Sequence, residues 1–200
     1  NLLPVNLPTF SFPLCVGYVL RYHPLISSIK LIIADCVVYS AHSYCGQYLP
    51  HWRPERDYRL SYSAQADGGG VLLDLSHEID YLYFLFGGLT PHHAFIGKLS
   101  SLDLNCDDTA SILASSILCP HINLSLNYLD MTKQRLLVVH GSFGTIRADF
   151  VSNTLLHNET FTSFDTAMDE LYLNQHLDFL RNPTSSSLYC GLDESLEVLS

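Results

Sequence analysis

The sequence predicts an α+β protein built on an open, mostly antiparallel β-sheet with helices packed on one face. Hydrophobic residues make up 48% of the 200 residues, with twelve Tyr and ten Phe, which is enough apolar material for a packed core. Short segments of strand-like composition follow one another from residue 93 to residue 164. Because helical patterns lie before and after this block of strands, the α+β class is favoured.

Residues 15–20 form a short apolar run with β-branched and aromatic members, which predicts a buried strand. Apolar residues at helical spacing predict a helix over 25–33, and residues 36–44 have the composition of a second strand. Residues 45–70 show no clear periodicity. A loop of that length inside a compact domain is usually functional.

The clearest helical pattern covers residues 71–86, with three glycines before it and Gly87 and Gly88 after it. Beyond this helix, turns rich in Asp, Pro and Gly separate the strand-like segments. Strands are predicted over 93–99, 109–118, 122–129, 135–140, 145–149, 154–157 and 160–164, and helices over 167–180 and 192–199.

The charge balance argues against several classes of partner. Twenty acidic and ten basic residues give a formal net charge of -10, which disfavours general nucleic-acid binding. The chain has neither a basic amphipathic segment nor a run of 18 apolar residues, so we expect no membrane association. Only 15% of the residues are charged, so we expect a charge-poor surface or one that is partly covered.

The six cysteines are scattered along the chain and contain no C-x-x-C pair. A disulfide framework is typical of small, loop-rich, secreted chains, and this sequence is not of that kind. We interpret the cysteines as reduced thiols that mostly serve packing. The sequence therefore favours a cytoplasmic protein.

The predicted helix 71–86 carries an unusual polar group. Asp74, His77, Glu78 and Tyr81 fall on one face, and the i, i+3 spacing lets the Asp74 carboxylate hold the imidazole of His77. A histidine held in this way can accept or return a hydroxyl proton. The alternative is a solvated polar face with an Asp near the helix start. A zinc site is disfavoured because H-E-x-x-H is absent.

Residues 48–59 are dense in aromatic and hydrogen-bonding side chains. Such a loop suits a sugar or polyol, because rings stack on Trp52 or Tyr58 while Arg53 and Asp57 hold hydroxyls or a carboxylate. The alternative is an exposed loop with a few salt bridges. Two residues outside the loop, Arg21 and Tyr81, complete the candidate substrate-binding set. The glycines at 68–70 are either an anion cradle at a helix N-terminus or a tight turn.

Several segments together resemble the Gfo/Idh/MocA oxidoreductases. The most specific is G-G-G-V-L-L-D-L-S-H-E-I-D-Y at 68–81. Supporting segments are G-Y-x-x-R-x-x-P at 17–24, Y-L-P-x-W-R-P-x-x-D-Y-R at 48–59, D-D-x-A at 107–110, H-G-S-x-G-T-I at 140–146 and D-E-S-L-E-V-L at 193–199. The resemblance covers the chain from about residue 14 to its end.

The resemblance implies a C-terminal domain of the dihydrodipicolinate-reductase type, which carries substrate contacts and often the oligomer interface. It implies His77 as the catalytic proton acceptor and Asp74 as its orienting partner, although many members space the two residues one position further apart. The family's Gly-rich fingerprint and Glu-Lys-Pro motif are not found in this sequence. Residues 1–20 are therefore expected to be the end of a Rossmann domain, and residues 21–200 the substrate-binding and oligomerisation domain.

The leading hypothesis is the substrate domain of an NAD- or NADP-dependent oxidoreductase that acts on a sugar, amino sugar or polyol. We expect it to be inactive alone, because the cofactor is bound mainly by the absent domain, and to form homo-oligomers through the sheet face. No residue of this chain is assigned to the cofactor or to a metal. The alternatives are a non-catalytic sheet domain for sugar binding or oligomerisation, and a degenerate fragment.

Overall fold

The computed structural model describes residues 11–183 and 186–199. In this part of the chain the helices are α1 (Pro24–Ile33), α2 (Val71–Asp74), α3 (His77–Phe86), α4 (Met168–Arg181) and α5 (Leu192–Val198). The strands are β1 (Val38–Gly46), β2 (Thr90–Gly97), β3 (Thr109–Ser115), β4 (Ile122–Asn127), β5 (Gln134–Gly141), β6 (Gly144–Asp149), β7 (Thr154–His157) and β8 (Thr160–Ser163). Short 3₁₀-helices occupy Val19–Tyr22, Leu49–His51, Tyr58–Leu60 and Tyr62–Ala64.

All eight strands form one open sheet in the order β2-β3-β4-β1-β5-β6-β7-β8. The pair β1–β4 is parallel, and the other neighbours are antiparallel. At the end of β1, Cys45 lies between Leu126 of β4 and Arg135 of β5. The predicted class, an open and mostly antiparallel α+β sheet, is confirmed.

The two faces of the sheet differ in burial. One row across the strands is buried and consists of Leu124, Ser43, Leu137, Ala148 and Leu155. The adjacent row faces the other way, is largely exposed, and consists of Asn123, His42, Val138, Arg147 and Leu156. This alternation follows from the two-residue period of a strand, and it leaves helices on one face only.

Helix α1 forms where the sequence predicts it. Pro24 occupies its first turn, where no backbone N–H is needed, and the His23 side chain accepts the backbone N–H of Leu25. The helix buries Leu25, Ile26 and Ile29 against the covered face of the sheet. These contacts anchor the segment that leads into β1.

The strand predicted over residues 15–20 is wrong. Val16 makes a single bridge with Cys190, and Val19–Tyr22 is a 3₁₀-helix. Gln175 of α4 donates to the carbonyl of Val16 at 3.3 Å, and Leu20 is buried in the main core, so the segment is held by contacts other than strand pairing. The predicted domain division at residue 20 stays a prediction, and residues 1–10 of its first part lie outside the described residues.

Among the helices that the structure describes, none has both the length and the apolar character needed to cross a bilayer.

Candidate active site

The predicted continuous helix 71–86 is wrong at one point, and this point positions the two candidate catalytic residues. Asp74 is the last residue of α2, and His77 is the first residue of α3. Between them, Leu75 has φ -102° and ψ 22°, outside the helical region, and the N–H of Ser76 bonds to the carbonyl of Leu73. This tighter turn removes the regular helical spacing between Asp74 and His77.

Asp74 is held by a tyrosine from the segment after β4. The Tyr128 hydroxyl donates to Oδ2 of Asp74 at 2.7 Å. Tyr62 also lies near Asp74, and this proximity, together with burial, raises the pKa of Tyr62. The expected pairing with His77 is not formed at Nδ1, because that nitrogen is buried and has no hydrogen-bond partner. Asp74 is therefore held from the segment that follows β4, and it makes no hydrogen bond to Nδ1 of His77.

The His77 ring packs edge-on against the ring of Tyr18, with the centroids 5.4 Å apart. Burial, together with the positive charge of Arg135, lowers the pKa of His77 to about 4, and the nearby Asp74 charge only partly opposes this. At neutral pH the imidazole is therefore uncharged, which is the form that accepts a proton.

His77 lines a cleft of about 250 Å³, here called the His77 cleft. The polar and aromatic side chains of its wall include Trp52, Tyr62, Asp74, His77, Lys133 and Arg135. A second hollow of about 370 Å³, here called the loop hollow, lies under residues 49–63. Because Trp52 and Tyr62 line both spaces, the two spaces adjoin.

The loop residues predicted to bind substrate gather around the loop hollow. Trp52, Arg53, Asp57 and Tyr58 all line it, and Trp52 alone of these four also reaches the His77 cleft. Asp57 forms an exposed ion pair of 2.6 Å with Arg59 and caps the 3₁₀-helix Tyr58–Leu60. The structure thus contains the predicted group, and it also contains a surface salt bridge of the kind that the alternative interpretation required.

The other two predicted substrate-binding residues are corrected by the structure. Arg21 is 1% exposed, and its guanidinium pairs with Asp80 at 2.6 Å and with Glu194 at 2.9 Å. Tyr81 is fully buried, with its hydroxyl 2.7 Å from Oγ of Ser43. Both side chains are occupied inside the protein, so neither is open to a substrate.

The solvated polar face considered for this helix is also wrong. Glu78 and Asp80 are fully buried in α3. Glu78 pairs with Arg135 of β5 at 2.7 Å, and Asp80 pairs with Arg21. Charged groups are seldom buried unless they are paired in this way. These acids of α3 therefore attach the helix to its neighbours.

The glycines at 68–70 form a tight turn, because an acid of the protein already occupies the helix N-terminus. Oδ2 of Asp107 accepts the backbone N–H of Leu72 at 3.0 Å. Gly70 has φ +96°, and a Cβ there would lie 2.3 Å from Oδ1 of Asp107. The anion-cradle interpretation is wrong, since the carboxylate of Asp107 takes that place.

Sequence reasoning missed four residues of the site: Tyr62, Tyr128, Lys133 and Arg135. Two of them, Lys133 and Arg135, lie at the entry to β5, and the pattern Lys-x-Arg before an apolar strand was the available signal. Nothing in the sequence connected Tyr128 with Asp74. No group of three or more potential metal ligands occurs within residues 11–183 and 186–199.

No protein-family model matches the chain, and no curated protein matches it. Its fold does match solved structures. UDP-N-acetylglucosamine 3-dehydrogenase from Acidithiobacillus ferrooxidans gives a TM-score of 0.71 at 18% identity, over 94% of this chain and 58% of that chain. An oxidoreductase from Agrobacterium radiobacter in complex with NAD+, L-tartaric acid and magnesium gives 0.71 at 18%, over 93% and 59%. Levoglucosan dehydrogenase in complex with NADH and levoglucosan gives 0.70 at 15%, over 84% and 56%.

The chain thus spans less than two thirds of the length of these oxidoreductases, and its fold matches their C-terminal domain. At such low identity the likeness establishes the fold alone. Sugar dehydrogenases are prominent among the structural neighbours. The fold expected from the sequence is therefore found in proteins of that enzymatic class.

Proposed function

We propose that this chain is the substrate domain of an NAD(P)-dependent oxidoreductase that acts on a hydroxyl or carbonyl group of a sugar, amino sugar or polyol. One observation carries the proposal: a histidine with a buried, unpartnered Nδ1 lines a polar cleft in a fold shared with sugar dehydrogenases. Buried polar atoms without a partner are rare in folded proteins and call for an explanation, of which a catalytic role is one.

The nicotinamide, when bound, supplies the hydride acceptor or donor. The described residues contain no doubly wound parallel sheet with a Gly-rich turn, the structure that usually holds a dinucleotide. The cofactor is therefore held mainly by residues other than these. The proposed contribution of this chain is to bind the sugar and to move its proton.

His77 is the proposed proton acceptor. Its imidazole is uncharged at neutral pH and lines the cleft, so a ring nitrogen can take the proton from a sugar hydroxyl during oxidation and return it during reduction. Trp52 offers an aromatic surface between the cleft and the loop hollow, where a sugar ring can stack. Asp74, held by Tyr128, is placed to accept a hydrogen bond from a second hydroxyl.

The test is a titration of the chain with D-galactose, levoglucosan and myo-inositol, followed by NMR of the histidine side chains. We expect at least one of these compounds to shift the His77 signals. His77→Gln removes the candidate base, and His93→Gln, on exposed strand β2, is the matched control. We expect no oxidation of NADH with keto-sugars by the chain alone.

Two outcomes would contradict the proposal at different points. Signals of His77 that none of the compounds shifts, up to high concentration, would remove the sugar-binding role. Robust turnover by the chain alone would instead show that these 200 residues hold the nicotinamide themselves.

A second function has independent support in the open sheet face. The exposed row that includes His42, Asn123 and Arg147 crosses the centre of the sheet, and no helix of the described chain covers it. We propose that this face joins copies of the chain. Light scattering after size exclusion tests this, with a dimer expected for the native chain and a monomer for His42→Glu, whose charge would be buried in the interface.

A further inference from the structure

The charges around the His77 cleft differ from those of the chain as a whole. The chain has a net charge of -10 and only ten Lys and Arg residues. Two of the ten, Lys133 and Arg135, line the cleft, and two more, Arg53 and Arg56, line the adjoining loop hollow. Basic side chains are thus concentrated at the proposed substrate site of an acidic protein.

Lys133 immediately precedes β5 and Arg135 is the second residue of that strand, and both side chains line the His77 cleft. Arg135 is compensated, because its guanidinium pairs with buried Glu78 at 2.7 Å and is 17% exposed. Lys133 is exposed, and no acid within residues 11–183 and 186–199 lies in ion-pair distance of its ammonium group. Lys133 is therefore a cation at the cleft without a protein partner.

The cleft also contains one carboxylate, Asp74, which is not paired with Lys133. Its Oδ2 accepts the Tyr128 hydroxyl at 2.7 Å. Lys133 and Arg135 together form the wall between the His77 cleft and a neighbouring hollow of about 160 Å³ that also contains Asn153. A negatively charged group bound here would contact the exposed ammonium of Lys133, because the guanidinium of Arg135 is already paired with Glu78.

We propose that Lys133 determines specificity, and that the cleft takes a monosaccharide with a carboxylate, that is, a sugar acid. This inference rests on the proposed function. An ammonium group donates up to three hydrogen bonds, and a bond between two charged groups is stronger than one between neutral groups. A cleft of about 250 Å³ lies below the usual range for drug-sized ligands, about 300–1,000 Å³, and suits a single sugar ring.

The experiment compares D-glucuronate with D-glucose by isothermal titration calorimetry on the 200-residue chain. The two sugars differ at one carbon, which carries a carboxylate in one and a CH₂OH group in the other. We expect glucuronate to bind about tenfold more tightly. Lys133→Met should remove this preference, and Lys133→Arg should restore most of it.

Arg181→Met is the matched control, because Arg181 is an exposed cation at the end of α4 and lines neither the His77 cleft nor the loop hollow. It removes the same charge but should leave the preference unchanged. The preference should also weaken at high salt, since the Lys133 ammonium is exposed.

The possible outcomes distinguish a failure of this inference from a failure of the proposed function on which it rests. Equal binding of the two sugars, or a preference that Lys133→Met retains, overturns the role of Lys133 and leaves sugar binding in place. No binding of either sugar overturns both. Two further probes, D-glucose 6-phosphate and inorganic phosphate, test the anion itself. Tighter binding of the sugar phosphate than of glucuronate overturns the carboxylate assignment in favour of phosphate.

Discussion

His23 and His77 flank the same guanidinium group, that of Arg135, and differ in how their ring nitrogens are used. In His23, Nδ1 accepts the backbone N–H of Leu25 at 3.1 Å, so Nε2 carries the proton and donates to Oδ1 of Asn153 at 3.2 Å. In His77, Nδ1 is buried and has no partner. One imidazole is fully engaged by the fold, and the other is not.

The difference explains why His77, and not His23, is the proposed proton acceptor. Burial and the charge of Arg135 lower the pKa of both side chains, although Asn153 opposes the shift at His23. A lowered pKa therefore does not distinguish them. The unused nitrogen does, because His23 caps α1 with one ring nitrogen and bonds Asn153 with the other, whereas Nδ1 of His77 is buried without a partner. Position alone does not, since His23 lines the neighbouring hollow of about 160 Å³.

The strongest perturbation of this pair is Arg135→Met. It leaves Glu78 buried without its cation, so we expect the free energy of unfolding to fall by about 3–5 kcal/mol, measured by urea denaturation. The double variant Arg135→Met with Glu78→Gln removes both charges and should recover part of the loss. A single variant within about 1 kcal/mol of the native chain would show that the buried pair does not hold α3 to β5.

His23→Ala and His77→Ala form a matched pair of smaller perturbations. His23→Ala removes the cap of α1 and the partner of Asn153, and we expect a loss of about 2 kcal/mol in the free energy of unfolding. His77→Ala removes a ring that makes no hydrogen bond at Nδ1, so its cost should be less than half as large. Equal costs in chemical denaturation would remove the distinction between a structural and a functional histidine.

Most of the fold could be predicted because local patterns determine it. The pattern at 25–33 matches α1 within one residue, and the predicted strand 154–157 coincides with β7. The strand predicted over 15–20 failed, because its backbone makes only one bridge, at Val16, and then turns into the 3₁₀-helix Val19–Tyr22. The turn at Leu75 and Ser76 was also missed, since an apolar pattern continues through it.

The site was only partly predictable, because its chemistry depends on residues distant in the chain. Asp74, His77 and Trp52 were found from one helix and one loop, and all three line the His77 cleft. The partner of Asp74 is Tyr128, on the segment after β4, and no local pattern links the two. Likewise, only the folded structure shows that Arg21 is buried in an ion pair with Asp80.

The smallest expected effect is on the pH dependence of stability, and it tests the lowered pKa of His77. The ordinary pKa of histidine is about 6.5, whereas that of folded His77 is about 4. Between these values the unfolded chain binds a proton at this position and the folded chain does not. The stabilisation from neutral His77 is therefore complete above pH 6.5 and is lost as the pH falls towards 4.

His77→Gln isolates this contribution, because other groups titrate in the same range. Burial, for example, raises the pKa of Asp80 to about 6 in both chains, although Arg21 partly opposes it. Between pH 7.5 and pH 5.5, we expect the native chain to lose about 1 kcal/mol more than His77→Gln in urea denaturation. Over the same pH range the native chain should also lose more stability than His23→Gln, because the pKa of His23 is lowered as well. If the free energy of unfolding depends on pH in the same way in the native chain and in His77→Gln, the pKa of His77 is not lowered by folding. That result would contradict the proposal that neutral His77 is the proton acceptor.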